Sequence, residues 1–241
     1  MAAFTVKLKK REEIAKGTMA FFFERPETFQ FTAGQYCRIA LNNPPETDAE
    51  GDIRLFSVAS APMEKSIMIA TRMRDTAFKR TLKTMTLENE VQLAGPYGNL
   101  VLRNVENNMP AVFLAGGIGI IPFRSMIVQA AEERLDRDMY LFYSNNTSQD
   151  AAFLDELITL QENNPRYKCI PTMTAMEQSQ ETWQGEKGYI THEMIKKYVS
   201  DTGNAVYYIA GPPAMVRAME DMLEKSGVSD SNIRAEEFSG Y

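Results

Sequence analysis

The apolar positions follow two rhythms along the chain, and the change comes near residue 110. From residue 4 to residue 103, short runs alternate apolar and polar residues or concentrate aromatic and β-branched ones. This predicts strands at Phe4–Leu8, Met19–Phe23, Gln35–Leu41, Ile53–Ala59, Ser66–Thr71 and Glu90–Ala94. Asn42 to Asp52 carries Pro44, Pro45 and Gly51 and reads as an exposed loop. Phe78, Leu82 and Met85 share one helical face. Several short strands with one helix predict an antiparallel barrel.

Beyond residue 110, near-continuous apolar runs alternate with helical patterns. Strands are expected at Ala111–Gly116, Met139–Ser144, Tyr167–Thr174, Ala205–Ala210 and Asn232–Phe238. Helices are expected at Pro122–Leu135, Ala151–Gln161, Glu193–Val199 and Pro213–Glu224. That rhythm predicts an α/β unit with a doubly wound parallel sheet, whose ligands bind at the carboxyl ends of the strands. The polar stretch between Leu102 and Pro110 divides the chain into residues 1–105, the barrel, and 106–241, the α/β unit.

Composition narrows the function classes. The 241 residues are 44% apolar and 24% charged, which describes a globular protein with enough chain for two cores. A net charge of −6, with no segment both basic and aromatic-rich, argues against nucleic acid as a partner. The two cysteines, Cys37 and Cys169, lie in apolar strand contexts and read as small buried hydrophobes. They are too few for a disulfide scaffold or an all-cysteine iron–sulfur site, and the one histidine, His192, lacks soft partners for a metal. No metal is expected. The N-terminal residues lack the apolar core of a signal peptide, and no run is long enough to span a membrane, so the expected compartment is the reducing cytoplasm.

Candidate chemistry lies at strand ends. Ala115-Gly-Gly-Ile-Gly-Ile-Ile-Pro-Phe123 joins a buried strand to a helix. Its glycines allow close backbone approach, and the helix start favours an anion such as a pyrophosphate. A plain tight turn has the same signature. Tyr143-Ser-Asn-Asn-Thr147 ends the next strand, where dinucleotide domains read the adenosine ribose. Neither an acid for a free 2′-hydroxyl nor an arginine for a 2′-phosphate stands there; Arg124 is another source of charge for a phosphate. Ala210-Gly-Pro-Pro-Ala-Met-Val216 is a stiff turn at a further strand end. In Arg54-Leu-Phe-Ser57, alternation puts Arg54 and Phe56 on one face and Leu55 and Ser57 on the other. Gly95-Pro-Tyr-Gly98 makes a turn before the divide.

In this order, the pieces resemble the ferredoxin–NADP reductase-like flavoproteins along essentially the whole chain. Arg54-Leu55-Phe56-Ser57 looks like the family's Arg-x-Tyr-Ser flavin motif, and Gly95-Pro96-Tyr97-Gly98 like its GPxG turn. Gly116-Gly117-x-Gly119-x-x-Pro122 and Gly211-Pro212-Pro213-x-Met215 look like its two nicotinamide-dinucleotide loops. The ending from Glu236 to Tyr241 is similar to endings in its bacterial branch. Three departures stand out: Phe56 replaces a tyrosine, Ala210 stands where many relatives have a cysteine, and these residues carry no cysteine cluster of a ferredoxin-like iron–sulfur extension, so any iron–sulfur centre is expected in another protein.

The resemblance implies a flavin-dependent NAD(P)H oxidoreductase. Hydride would pass from NADH or NADPH to bound FAD, then electrons would go to a separate acceptor protein, such as a ferredoxin or an oxygenase component. It implies that Arg54 pairs with the flavin diphosphate at the helix start Thr76-Ala77-Phe78. Leu55, Phe56, Ile69 and Thr71 would complete the flavin site, with Ser57 near N5. Phe238 would cover the opposite ring face and move aside for nicotinamide, with Tyr241 as the alternative ring. The dinucleotide would meet Gly116, Gly117, Ile118, Gly119, Pro122, Ser144, Asn145, Gly211, Pro212 and Met215. Two other readings are a free-flavin reductase, and a non-catalytic flavin- or nucleotide-binding regulatory subunit.

Overall fold

In the computed structural model, which describes residues 3–102, 108–179 and 181–238, the strands sort into two six-stranded sheets. The boundary expected at 105/106 and the candidate ring Tyr241 both lie outside the described residues.

The first sheet is antiparallel. It contains β1 (Ala3–Ala15), β2 (Thr18–Glu24), β3 (Tyr36–Leu41), β4 (Ile53–Ser57), β5 (Ser66–Arg72) and β6 (Glu90–Tyr97). Their order is β4-β3-β6-β1-β2-β5. The chain just past β4 closes onto β5, where the Ala59 N–H donates to the Met68 carbonyl at 2.7 Å, so the sheet curls into a barrel. β1 runs well past Leu8. Its first half pairs with β6 and its second with β2, with register irregularities at Leu8/Lys10 and Glu13/Ala15. The polar run Lys9-Lys-Arg-Glu-Glu13 hides that extension from a hydrophobic pattern. Helix α1 (Ala77–Thr84) lays Phe78 and Leu82 into the barrel core, and Thr76 caps it by accepting from the Lys79 N–H.

The second sheet is parallel, with order β10-β9-β8-β7-β11-β12. Its strands are β7 (Ala111–Gly116), β8 (Met139–Asn145), β9 (Tyr167–Met173), β10 (Glu186–Lys187), β11 (Val206–Gly211) and β12 (Ile233–Glu237). Phe113 and Ala115 pack toward α2 (Ile120–Glu132) and α3 (Leu154–Asn163) on one face. Val112 and Leu114 pack toward α4 (His192–Lys196) and α5 (Pro213–Lys225) on the other. Both faces are covered, so every residue of β7 and β11 is buried and neither shows polar alternation. α3 starts at Leu154 rather than Ala151. A turn at Ser148–Asp150 comes first, closed by a capping box between Thr147 and Asp150.

The two sheets share one core. Ala20, Met68 and Ala70 on the outer face of the barrel pack with Met126 and Ile127 of α2. Arg124 lies inside this seam, 5% exposed. It donates to the Ala59 carbonyl at 2.7 Å, to Glu64 at 2.9 and 3.2 Å, and to Glu156 at 2.5 and 2.8 Å. Burial pulls its pKa down, but the bonds to Glu64 and Glu156 outweigh burial and hold the guanidinium above its ordinary value. Arg124 is therefore committed to the seam. This corrects the expectation that it could reach a nucleotide phosphate. Among the described residues, no helix is long and apolar enough to cross a membrane.

Removing Arg124 leaves two carboxylates facing each other across an apolar seam. Arg124→Ala should lower the unfolding free energy by about 2–4 kcal/mol, measured by urea titration. A loss below about 0.5 kcal/mol would mean that the apolar packing alone holds the two sheets together.

Candidate functional site

The carboxyl ends of β7 and β11 lie side by side, and their chains leave toward opposite faces of the sheet, into α2 and α5. Such a switch point opens a crevice. Here both strands end in glycine for a packing reason. A Cβ on Gly211 would sit 3.2 Å from the Gly116 Cα, and one on Gly116 would run into the Met215 sulfur. Gly117 follows with φ +53°, the left-handed turn that admits glycine most readily. A Cβ on Gly119 would collide with the Ala210 carbonyl. Pro122 is buried in the first turn of α2. Gly119, Gly211 and Pro122 thus shape the crevice without lining it.

The crevice holds about 310 Å³ and is lined by Gly116, Gly117, Ile118, Ser144, Asn145, Pro212 and Met215. These are seven of the residues expected for a dinucleotide. Asn145 is buried, with its side-chain amide beside the Tyr143 hydroxyl. Four features were not foreseen. Arg72 and Arg74 reach the crevice from the barrel, with Arg72 Nη2 3.3 Å from where a Gly117 Cβ would stand. Tyr189 stands on the rim, 77% exposed, and Ile190 lies beside it. The arginines belong to the other sheet's end of the chain, so only the tertiary fold brings them here.

A second cleft, about 270 Å³, opens between β4 and the end of β12. Tyr36, Leu55, Phe56, Ser57, Glu236, Glu237 and Phe238 line it. Ser57 is 5% exposed and its hydroxyl has no partner among the described residues, a buried polar group left free for something in the cleft. Leu55 is 59% exposed. Gly98 has φ +91° and a Cβ there would lie 2.8 Å from the Tyr36 ring, so the Gly95–Gly98 turn seats Tyr36 at the cleft. The Phe238 N–H donates to the Gly211 carbonyl at 2.9 Å. One backbone bond therefore joins the wall of the second cleft to the turn that shapes the first.

Other expected flavin contacts are core residues. Ile69 and Phe78 are buried inside the barrel, and Thr71 is fully buried on β5. Phe56 shows the cleft only part of its surface and packs on Phe78, with ring centroids 5.8 Å apart. The Arg54 guanidinium lies over the same Phe78 ring, 5.2 Å from the centroid. Burial pushes the Glu236 carboxyl above its ordinary pKa. The same burial holds Cys37 near 12 and Cys169 near 11, so neither is a ready thiolate.

Residues 113–221 match the family model described as oxidoreductase NAD-binding domain. The anthranilate 1,2-dioxygenase electron transfer component of Acinetobacter baylyi is 28% identical over 211 residues, 86% of this chain and 58% of that protein. The phenol hydroxylase P5 protein of Acinetobacter pittii is 27% identical over 240 residues, 98% of this chain and 65% of that one. The chain thus spans less than two thirds of the length of either relative. A ferredoxin NADP+ reductase structure from Neisseria gonorrhoeae, with bound FAD and NADP, superposes with a TM-score of 0.82 at 22% identity and covers 98% of both chains. A barrel and a parallel sheet that share a seam make the same two-part fold as that structure. Over residues 113–221 the chain is similar to oxidoreductase NAD-binding domains, and its fold as a whole is that of the ferredoxin NADP+ reductase structure.

The packing of these clefts generates two predictions. Gly119→Ala should lower the unfolding free energy by about 1–3 kcal/mol as well as disturb the crevice, because its Cβ meets backbone. An unchanged urea midpoint would show that the turn yields freely. Glu236 has a raised carboxyl pKa, so its contribution to stability is present below the ordinary carboxylate range and lost as pH rises through the raised value. Glu236→Gln should raise the melting temperature at neutral pH by a few degrees and flatten its decline from acidic pH. A parallel pair of Tm curves for the two proteins would exclude this titration.

Proposed function

We propose that the chain is a flavin-dependent NAD(P)H oxidoreductase that hands electrons to a separate acceptor protein. The observation that carries this reading is the partnerless Ser57 hydroxyl, buried in an aromatic cleft one backbone bond away from the switch-point crevice. A bound flavin would supply the redox chemistry that links a two-electron nucleotide donor to one-electron acceptors.

The protein side of this work is binding and exclusion. Ser57 offers a hydrogen bond to the edge of a planar ring, and Tyr36 and Phe238 offer apolar walls that keep water away from it. The Gly116–Gly119 turn and the first turn of α2 present backbone amides to a phosphate group. Arg72 and Arg74 add charge from the opposite wall, suited to a diphosphate or a 2′-phosphate. Tyr189 offers a ring face on the rim for a base. Neither cleft lines up a nucleophile with a base, which fits a reaction driven by proximity rather than by proton transfer.

Relatives over this stretch are named as an electron transfer component of a dioxygenase and as a phenol hydroxylase protein, which supports an iron–sulfur or oxygenase protein as acceptor. Two free cysteines suit a reducing cytoplasm. One observation favours the second reading, a reductase for which flavin is a substrate that leaves: the Arg54 guanidinium is already engaged by its own chain.

A visible spectrum of the purified protein, followed by anaerobic titration with NADH and NADPH in turn, tests the proposal. The expected result is a yellow protein bleached by one nucleotide. A colourless protein that reduces added flavin would move the assignment to the second reading. A yellow protein bleached by neither would reject catalysis and leave a binding subunit.

A further inference from the structure

The residues between β3 and β4 fold over the start of α1, and their acidic side chains hold it at two places, Ala77 and Arg80, and also engage Arg54 of β4. The Asp48 carboxylate accepts from the Ala77 N–H at 2.9 Å through Oδ2 and from Arg54 Nη2 at 3.2 Å through Oδ1. Glu50 lies 3.0 Å from the same Arg54 nitrogen. Arg54 Nη1 donates to the carbonyls of Glu50, Gly51 and Ile53 at 2.9, 3.0 and 2.8 Å. Further along the helix, Glu46 takes both Nε and Nη2 of Arg80, at 2.9 and 2.5 Å.

The groups that Asp48 touches are those a phosphate would use: an amide at a helix start and an arginine fork. More positive charge stands around them. Lys79 is 9% exposed, and burial, then Arg74 and Arg54, lower its pKa, which places all three cations in one neighbourhood. Three residues beyond Arg54 on the same strand, the buried and partnerless Ser57 hydroxyl opens into the neighbouring cleft. That is an independent sign that this strand addresses a ligand.

We propose that Asp48 is a flavin-specificity residue: its carboxylate holds the anion position formed by Arg54 and the Ala77 N–H, so a flavin gains its phosphate contacts only by displacing it. This rests on the flavin reading above. One carboxylate and one phosphate cannot take the same N–H and the same guanidinium nitrogen. Two anions left side by side would repel. FAD, whose diphosphate needs this position, meets that competition. Riboflavin has no phosphate and does not. Asp48 thus narrows the advantage of a phosphorylated flavin over a bare one, and it favours exchange of the flavin over permanent retention.

The test is equilibrium titration of the purified full chain, freed of flavin, with FAD and with riboflavin, followed by flavin fluorescence. Asp48→Asn keeps the size and an acceptor for the Ala77 N–H while removing the charge. Asp48→Ser, which keeps a short acceptor, is the second variant, and far-UV circular dichroism with thermal melting confirms that each is folded. The expected result is a Kd for FAD about tenfold lower in both variants, with riboflavin unchanged. Glu46→Gln, which touches neither Arg54 nor Ala77, should leave both affinities as they were. If the wild type binds FAD and the Asp48 variants bind it equally or more weakly, Asp48 only orders its loop; the proposal then fails while the flavin reading stands. If neither flavin binds to the wild type, the flavin reading fails and takes this proposal with it.

Discussion

Two strand ends pressed together without side chains between them set the rest of the site. β7 and β11 are parallel neighbours whose chains must leave in opposite directions. Glycine at both ends lets the backbones meet, with Gly211 against the Gly116 Cα, and Met215 and Pro212 fill the space a Cβ would have taken. The crevice that results has the glycine backbone of Gly116 and Gly117 on one wall and side chains such as Arg72, Asn145 and Met215 around it. The start of α2 follows this turn, where the helix dipole favours negative charge. The Gly211 carbonyl then accepts from Phe238, which brings the end of β12 over β4. A single close approach therefore shapes one cleft and sets the wall of the other.

That arrangement needs the barrel to stand still against the parallel sheet. The seam supplies this with apolar contacts from Ala20, Met68 and Ala70 and with one buried cation, Arg124. Apolar packing is not directional and would tolerate sliding. A guanidinium that must satisfy a carbonyl and two carboxylates at once tolerates much less. The seam also carries β5, whose last residue is Arg72, up to Gly117. Position at the seam becomes charge at the crevice.

Sequence pattern and structure agree best where one local pattern has one physical cause. Near-continuous apolar runs between helical patterns identified the parallel sheet, and glycine at the ends of β7 and β11 marked the switch point. Agreement weakens where a pattern has several causes. Lys9–Glu13 is polar but still pairs along β2, because an exposed strand needs backbone bonds and not apolar side chains. The two-residue β10 is too short to carry a period. Ile69 and Phe78, expected at a ligand, are core residues, since an apolar side chain beside a site and one inside a barrel look alike in sequence. Arg72, Arg74, Tyr36 and Tyr189 carry no local signal, because each enters its cleft through contacts distant in the chain.

Charge shows the same divide between local and global information. The chain carries a net charge of −6, from which no anionic ligand would be inferred. Yet Arg54, Arg72, Arg74 and Lys79 come from one short stretch of the barrel and gather between its helix and the crevice. A field set up by neighbours at a few ångströms outweighs one summed over the whole surface, because salt screens the distant charges within about 10 Å. The acidic loop that answers this cluster carries Glu46, Asp48 and Glu50 at every second position, and each meets an arginine. A cluster of cations held so close repels itself unless anions stand among them. Carboxylates from the chain can be that anion, or phosphates from a ligand can be. An excess of negative charge in the whole protein and a site built for negative charge are thus compatible, because the same carboxylates that make the chain acidic also hold the cationic cradle together.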